Sequence, residues 1–172
     1  DMLDAISFNP GGGNQTRGIW MGGVSPGAPG SEAVNTIQFV TIQSTGNAQD
    51  FGDLITTLDA TAIGASPTRI LAMGGGNPNT SPTTRLNTID YVEIATTGNA
   101  QDFGDLTIGK IGGSGVSSNT RAVAMGGVAG PALNNTMDFV TIATTGNASD
   151  FGDQNGNPNH SAGACSDSHG GL

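Results

Sequence analysis

An all-β fold of short antiparallel strands, repeated in units of about fifty residues, is predicted by three observations. A nonapeptide recurs three times, as TGNAQDFGD at Thr45–Asp53 and Thr97–Asp105 and as TGNASDFGD at Thr145–Asp153. An arginine-led apolar segment closing on a glycine pair also recurs, as RGIWMGG (Arg17–Gly23), RILAMGG (Arg69–Gly75) and RAVAMGG (Arg121–Gly127). Gly, Asn, Pro and Ser punctuate the chain every few residues, which breaks any helical period before it can build a face. Self-similarity at a fixed period of tens of residues means stacked or radially arranged units.

The arginines stand 52 residues apart both times (69 − 17 and 121 − 69), whereas the nonapeptides are 52 and then 48 apart. The third unit is therefore four residues shorter between Gly127 and Gly146, and a deletion tolerated there marks a surface loop.

Four strands per unit follow in order. The first is weak, at Ala60–Ala65, Gly112–Ser117 and Ser161–Ser166, with the degenerate FNPGGGNQT (Phe8–Thr16) in its place in the first unit. The second is strong, at Arg17–Met21, Arg69–Met73 and Arg121–Met125, and is apolar on both faces, as a strand covered on both sides should be. The third is NTIQFVTI (Asn35–Ile42), NTIDYVEI (Asn87–Ile94) and NTMDFVTI (Asn135–Ile142). Its Ile37, Phe39 and their equivalents share one face and its Val40 and Ile42 the other, while Gln38, Asp90 or Asp138 between them predicts partial exposure. The fourth lies in the nonapeptide, with Ala48, Phe51 and their equivalents as its apolar residues.

Composition narrows the partners. In 172 residues with 35% hydrophobic content and 29 glycines, the core must be thin and made of small residues. No apolar run approaches the roughly 20 residues that cross a bilayer as a helix. A net charge of −9, with Lys110 and four arginines as the only cations, argues against nucleic acid, because phosphate binding needs clustered positive charge. Cys165 is the only cysteine, so no disulfide forms within the chain.

Four short strands in about 50 residues describe a β-propeller blade. The chain resembles kelch repeats from Arg17 to Asp153: Met21-Gly22-Gly23, Met73-Gly74-Gly75 and Met125-Gly126-Gly127 close the second strands, and Phe39, Tyr91 and Phe139 follow in the third. Kelch units usually carry tryptophan in the fourth strand, and here Phe51, Phe103 and Phe151 stand there, so the likeness is kelch-like. The wording of the repeats also resembles virion and tail-fibre proteins of aquatic bacteriophages. These resemblances imply three four-stranded kelch-like β-propeller blades permuted by one strand, with a virion or extracellular location.

In that reading residues 1–16 are an N-terminal segment whose Met2, Leu3, Ile6 and Phe8 make it a candidate for strand donation, with a disordered or simply packed terminus as the favoured alternative, 17–68 blade one, and 69–120 blade two. Blade three, with the first strand of a following blade, takes 121–168, and 169–172 is the C-terminal end. Three blades are too few for a closed ring of roughly four to eight. Ser161, Ala162, Gly163, Ala164, Cys165 and Ser166 are then the assembly residues, completing a blade in a neighbouring copy or in a longer polypeptide.

Apparent catalytic motifs dissolve into the repeat. Asp50-Phe51-Gly52 looks like the DFG of protein kinases, but it recurs at Asp102 and Asp150 with no HRD set or paired lysine. Asp153, Asn155 and Asn157 alternate as in a calcium loop, yet glycine falls at the fourth position, so the Asp50/Asp53, Asp102/Asp105 and Asp150/Asp153 pairs read as turn formers. His160 and His169 lack ligand spacing, and Cys165 with His169 lacks a buried base. No catalytic, cofactor or metal residue is assigned.

The repeated residues Arg17, Arg69, Arg121, Gly22, Gly74, Gly126, Phe51, Phe103 and Phe151 are structural, and each arginine is expected to pair with a repeated aspartate such as Asp50, Asp102 or Asp150. The expected function is non-enzymatic: assembly and surface adhesion in a phage appendage or extracellular filament, with self-association, neighbouring virion or filament subunits and host-surface glycans as partner classes. A carbohydrate-binding or catalytic propeller with a site at the ring mouth is the alternative.

Overall fold

A computed structural model describes residues 1–155 apart from 4, 27–31, 60 and 81. The predicted strand and assembly segment Ser161–Ser166, with His160 and His169, lies outside the described residues. Sixteen strands and no helix form among the described residues, so none of them makes a helix long and apolar enough to cross a membrane.

The first sheet holds β1 (Gly11–Gly13) and β2 (Arg17–Met21), then, beyond a small ribbon of β3 (Val24–Ser25) and β4 (Glu32–Ala33), β5 (Thr36–Thr41) and β6 (Gln49–Asp53). The second holds β7 (Ala62–Ala65), β8 (Arg69–Asn77), β9 (Thr84–Glu93) and β10 (Gln101–Asp105). The third holds β11 (Ser114–Ser117) and β12 (Arg121–Met125), a ribbon of β13 (Val128–Ala129) and β14 (Ala132–Leu133), then β15 (Thr136–Thr141) and β16 (Ser149–Asp153). Every pairing is antiparallel and joins strands in chain order.

The predicted strands that fall among the described residues are thus present, and three differences have physical causes. The segments after the glycine pairs, the third of which falls in the region that the length change marks as a loop, fold as two-stranded ribbons; in the second sheet the ribbon is continuous with β8 and β9, which slip register between Met73 and Gly75. The degenerate Phe8–Thr16 segment does supply a strand, because Gly11 pairs with Trp20 and a Cβ there would strike the indole. The first sheet therefore reaches four strands from within the chain, and the expected boundaries at Arg17, Arg69 and Arg121 fall inside sheets. The N-terminal segment, a candidate for donation, is engaged on its own sheet: Leu3 N–H donates to Gln38 Oε1 at 2.8 Å, and Ser7 bridges to Val24.

The β1–β2, β7–β8 and β11–β12 turns share one device. Asn14, Ser66 and Ser118 accept, through a side-chain oxygen, the main-chain N–H groups of the residues two and three further on. Short polar side chains do this best, which explains the turn composition. β1, β7 and β11 are built of small residues because they converge: a Cβ on Gly115 would overlap the Ile63 backbone, and one on Gly64 the Ala122 methyl.

Two apolar layers lie between the sheets. Ile19, Met21, Ile37, Phe39 and Phe51 of the first sheet pack on Ile70, Ala72, Val92 and Ile94 of the second. The opposite face of the second, Leu71, Met73, Ile89, Tyr91 and Phe103, packs on Ala122, Ala124, Val140 and Ile142 of the third. The middle sheet is covered on both faces, and burying each large side chain stabilises by about 1.5–3 kcal/mol.

Phe51→Ala, which empties a fully packed site in the first layer, should destabilise the protein by about 3–5 kcal/mol. Ile55→Ala, four residues on and exposed, should change it by less than about 0.5 kcal/mol. Paired denaturant titrations check this; equal costs would contradict the layered core.

Candidate functional site: the joint between sheets

The nonapeptide builds the joint from both sides. At its DFGD end the fourth strand carries a bulge: Gln38 faces Asp50 and Ile37 faces Gly52, leaving Phe51 as the extra residue. The bulge turns the Phe51 ring against Phe39, edge to face, with centroids 5.7 Å apart. Tyr91–Phe103 and Phe139–Phe151 repeat the pair at 5.7 and 5.9 Å.

The TGNA end of the next repeat then docks on that bulged strand. Gly98 N–H donates to the Phe51 carbonyl at 2.7 Å, Ala100 N–H to the Asp53 carbonyl at 2.8 Å, and Asp53 N–H to Asn99 Oδ1 at 3.1 Å. Gly146, Ala148 and Asn147 repeat these bonds on Phe103 and Asp105 at 2.7, 2.8 and 3.1 Å. The approach is close enough that a Cβ on Gly52 would collide with the Gly98 carbonyl, and one on Gly104 with that of Gly146. Both glycines also have positive φ, +146° and +143°, so backbone shape and space demand glycine together.

The glycine pairs take the linker between sheets. Gly22, Gly74 and Gly126 sit at φ +66°, +68° and +67°. The next residues, Gly23 and Gly75, donate their N–H groups to the carbonyls of Leu58 and Lys110, at 2.9 and 2.8 Å.

Arg17 and Arg69 bridge sheets, but none of the three arginines pairs with Asp50, Asp102 or Asp150. Each guanidinium lies over the aromatic ring of its own sheet, Arg17 on Phe39, Arg69 on Tyr91 and Arg121 on Phe139, at 4.7, 4.8 and 5.0 Å. Arg17 Nη1 donates to the Ile94 carbonyl of the second sheet at 2.6 Å, and Arg69 Nη1 to the Ile142 and Ala143 carbonyls of the third at 3.1 and 3.0 Å. Strand register explains the correction: Arg17 faces Thr41 across the sheet, whereas Asp50 faces Gln38 further along. Only the second repeat has an acid at the cross-strand position, and there Arg69 pairs with Glu93 at 2.6 Å.

Gln38, Asp90 and Asp138, expected to be partly exposed, are buried. The segment joining each sheet to its predecessor covers them and bonds to them: Ile55 N–H donates to Asp90 Oδ2 at 3.1 Å, and the Thr107 hydroxyl to Asp138 Oδ1. Lys110 completes the joint between the second and third sheets, its Nζ 3.0 Å from Asp138 Oδ2 with both side chains at most 2% exposed. It also donates to the Ala124 and Thr136 carbonyls. Sequence reasoning missed this pair. The available signal was the chain's sole lysine standing five residues after Asp105, where the preceding repeat has Leu58. Without such a cation, burial pushes the Asp90 carboxyl up to about 6, against the Ile55 hydrogen bond, with nearby Asp102 adding to the rise.

Beside each of two TGN turns lies a shallow cleft with like residues in like places, one lined by Tyr91, Thr97, Gly98 and Asn99 and the other by Phe139, Thr145, Gly146 and Asn147. Among the described residues no three His, Cys, Asp or Glu side chains are grouped as a metal ion would need.

No family model matches the sequence, and no curated protein matches it. Among solved structures, one titled "Structure of YjhT" is similar, with a TM-score of 0.72 at 9% identity over 90% of this chain. The chain spans 54% of that one, about half its length, and the likeness is one of fold.

Lys110→Met leaves Asp138 buried and unpaired and should cost about 3–5 kcal/mol in equilibrium unfolding, with Asp138→Asn in the same chain recovering most of it. Asp90 works in the opposite sense. Its folded carboxyl holds a proton up to about pH 6 while the unfolded one loses it near 3.8, so stability falls as pH rises between them. Asp90→Asn should therefore gain about 1–3 kcal/mol over the natural chain at pH 8 and nothing at pH 3, as melts across that range will show.

Proposed function

We propose that the chain is a run of kelch-like propeller blades serving as a non-enzymatic structural module of a virion, tail appendage or extracellular filament, in assembly and surface adhesion. The observation that carries this reading is the equivalence of the joints. The same Phe, Gly, Asn and Arg residues make the same bonds at successive positions, so the sequence's repeated chemistry is used in holding sheets together. The ribbons beyond the glycine pairs vary between repeats, which suits display of differing surfaces on a constant scaffold. Neighbouring subunits and host-surface glycans are the partner classes such ribbons would meet.

The alternative, a carbohydrate-binding or catalytic propeller, needs unlike polar groups converging on one place. The two repeat-related clefts offer like groups spread apart, which favours the structural reading.

Immunogold electron microscopy of the source culture with antibodies to the purified chain tests the proposal. Label is expected on particle appendages or extracellular filaments; label confined to the cell interior would overturn it.

A further inference from the structure

We propose that a second copy of this chain docks head to tail, its Thr45–Ala48 turn and Ile42 face covering Phe151 and the β16 edge of the first. This deepens the assembly role proposed above and rests on that reading.

The two outer faces of the described array are the two halves of the joint that repeats inside it. Phe51 and Phe103 are each 2% exposed under the next sheet, whereas Phe151, in the same motif and the same edge-to-face pair, is 51% exposed. Ile94 and Ile142 are at most 1% exposed, whereas their equivalent Ile42 is 57% exposed. A Cβ on Gly152 would meet nothing within 4 Å, although Gly52 and Gly104 are each filled by the next turn's carbonyl. The receiving edge is already shaped, because β16 has the same bulge at Phe151 and a positive φ of +126° at Gly152.

The donor turn has the sequence of the two that dock internally. Asp1 shows what its bonding groups accept: Ala48 N–H donates to the Asp1 carbonyl at 2.8 Å, and the Asp1 amino group donates to Asn47 Oδ1 at 2.7 Å. These are the bonds that Asp53 and Asp105 make at the internal joints, so the neighbour's Asp153 would take the place of Asp1. The neighbour's Phe151 carbonyl would then receive the Gly46 N–H, the third bond of the set. Sheet complementarity is of the same kind, Val123, Met137, Phe139 and Phe151 on one outer face against Gly18, Trp20, Val40 and Ile42 on the other. A heterologous contact of this kind closes or propagates according to its rotation. The aligned part of one copy covers 54% of the similar solved chain, so two such parts have about its length.

Sedimentation velocity and native mass measurement of the purified chain test the docking. Concentration-dependent association is expected, weakened at least tenfold by Phe151→Asp and by Ile42→Asp but not by Ile55→Asp, an exposed residue on the linker after β6 and away from both halves. Mixing the Phe151→Asp and Ile42→Asp chains should give 1:1 dimers, since each keeps the half that the other has lost. A folded monomer up to roughly 100 µM, or association that persists in both variants, would overturn the docking. Appendage or filament labelling would then still support the structural reading, so the two proposals can fail separately.

Discussion

The fit of one repeat's TGNA turn onto the bulged DFGD strand of the preceding repeat is the constraint on which the rest of the structure depends. A sheet edge ordinarily ends in unsatisfied N–H and carbonyl groups. Here the bulge at Phe51 bends the edge, and Gly52 leaves room for the Gly98 carbonyl, so the edge is satisfied by the neighbour without lengthening the sheet. The same bend turns Phe51 inward to fill the layer between sheets. One local deformation thus settles edge satisfaction, core filling and sheet spacing, and any side chain at Gly52 would disturb all three.

The arginines add a second tie across the same joint. A guanidinium laid on an aromatic ring keeps its apolar face covered while its N–H groups reach the carbonyls at the end of the next sheet. Arg17 and Arg69 therefore close the joint at the end of the sheet remote from the glycine pairs, whose N–H groups hold the linker. Each pair of sheets is pinned near both ends, with apolar packing between.

The repeat made the strands legible, because Arg69–Met73 or Asn135–Ile142 shows apolar residues on both faces that no other element would bury. The small first strands were harder. Gly11–Gly13 has no side chain to signal a strand, and its identity follows from how closely Trp20, Ile63 and Ile70 approach it, a tertiary fact. The partners of the joint residues are less legible. Arg17 faces Thr41 and not an aspartate because of cross-strand register, which the spacing of residues along the chain does not fix. Gln38, Asp90 and Asp138 look like half-exposed positions in isolation and are buried only because the preceding linker folds over them.

That linker position also distinguishes joints that are otherwise alike. Nonapeptides alike in their TGNA and DFGD ends would let any sheet accept any neighbour, and repeat arrays with interchangeable interfaces are prone to misassembly. The joint between the second and third sheets matches Lys110 to Asp138, whereas the linker between the first and second carries Leu58 and the buried acid there, Asp90, relies on a main-chain N–H. A sheet with an acid at this place, brought against a linker without the lysine, buries a carboxylate at greater cost, and a lysine brought against Gln38 buries an unpaired cation. The backbone bonds of the joint are alike at each position, so it is this buried polar position, outside the nonapeptide, that tells the Gln38 sheet from an acid-bearing one against the Lys110 linker.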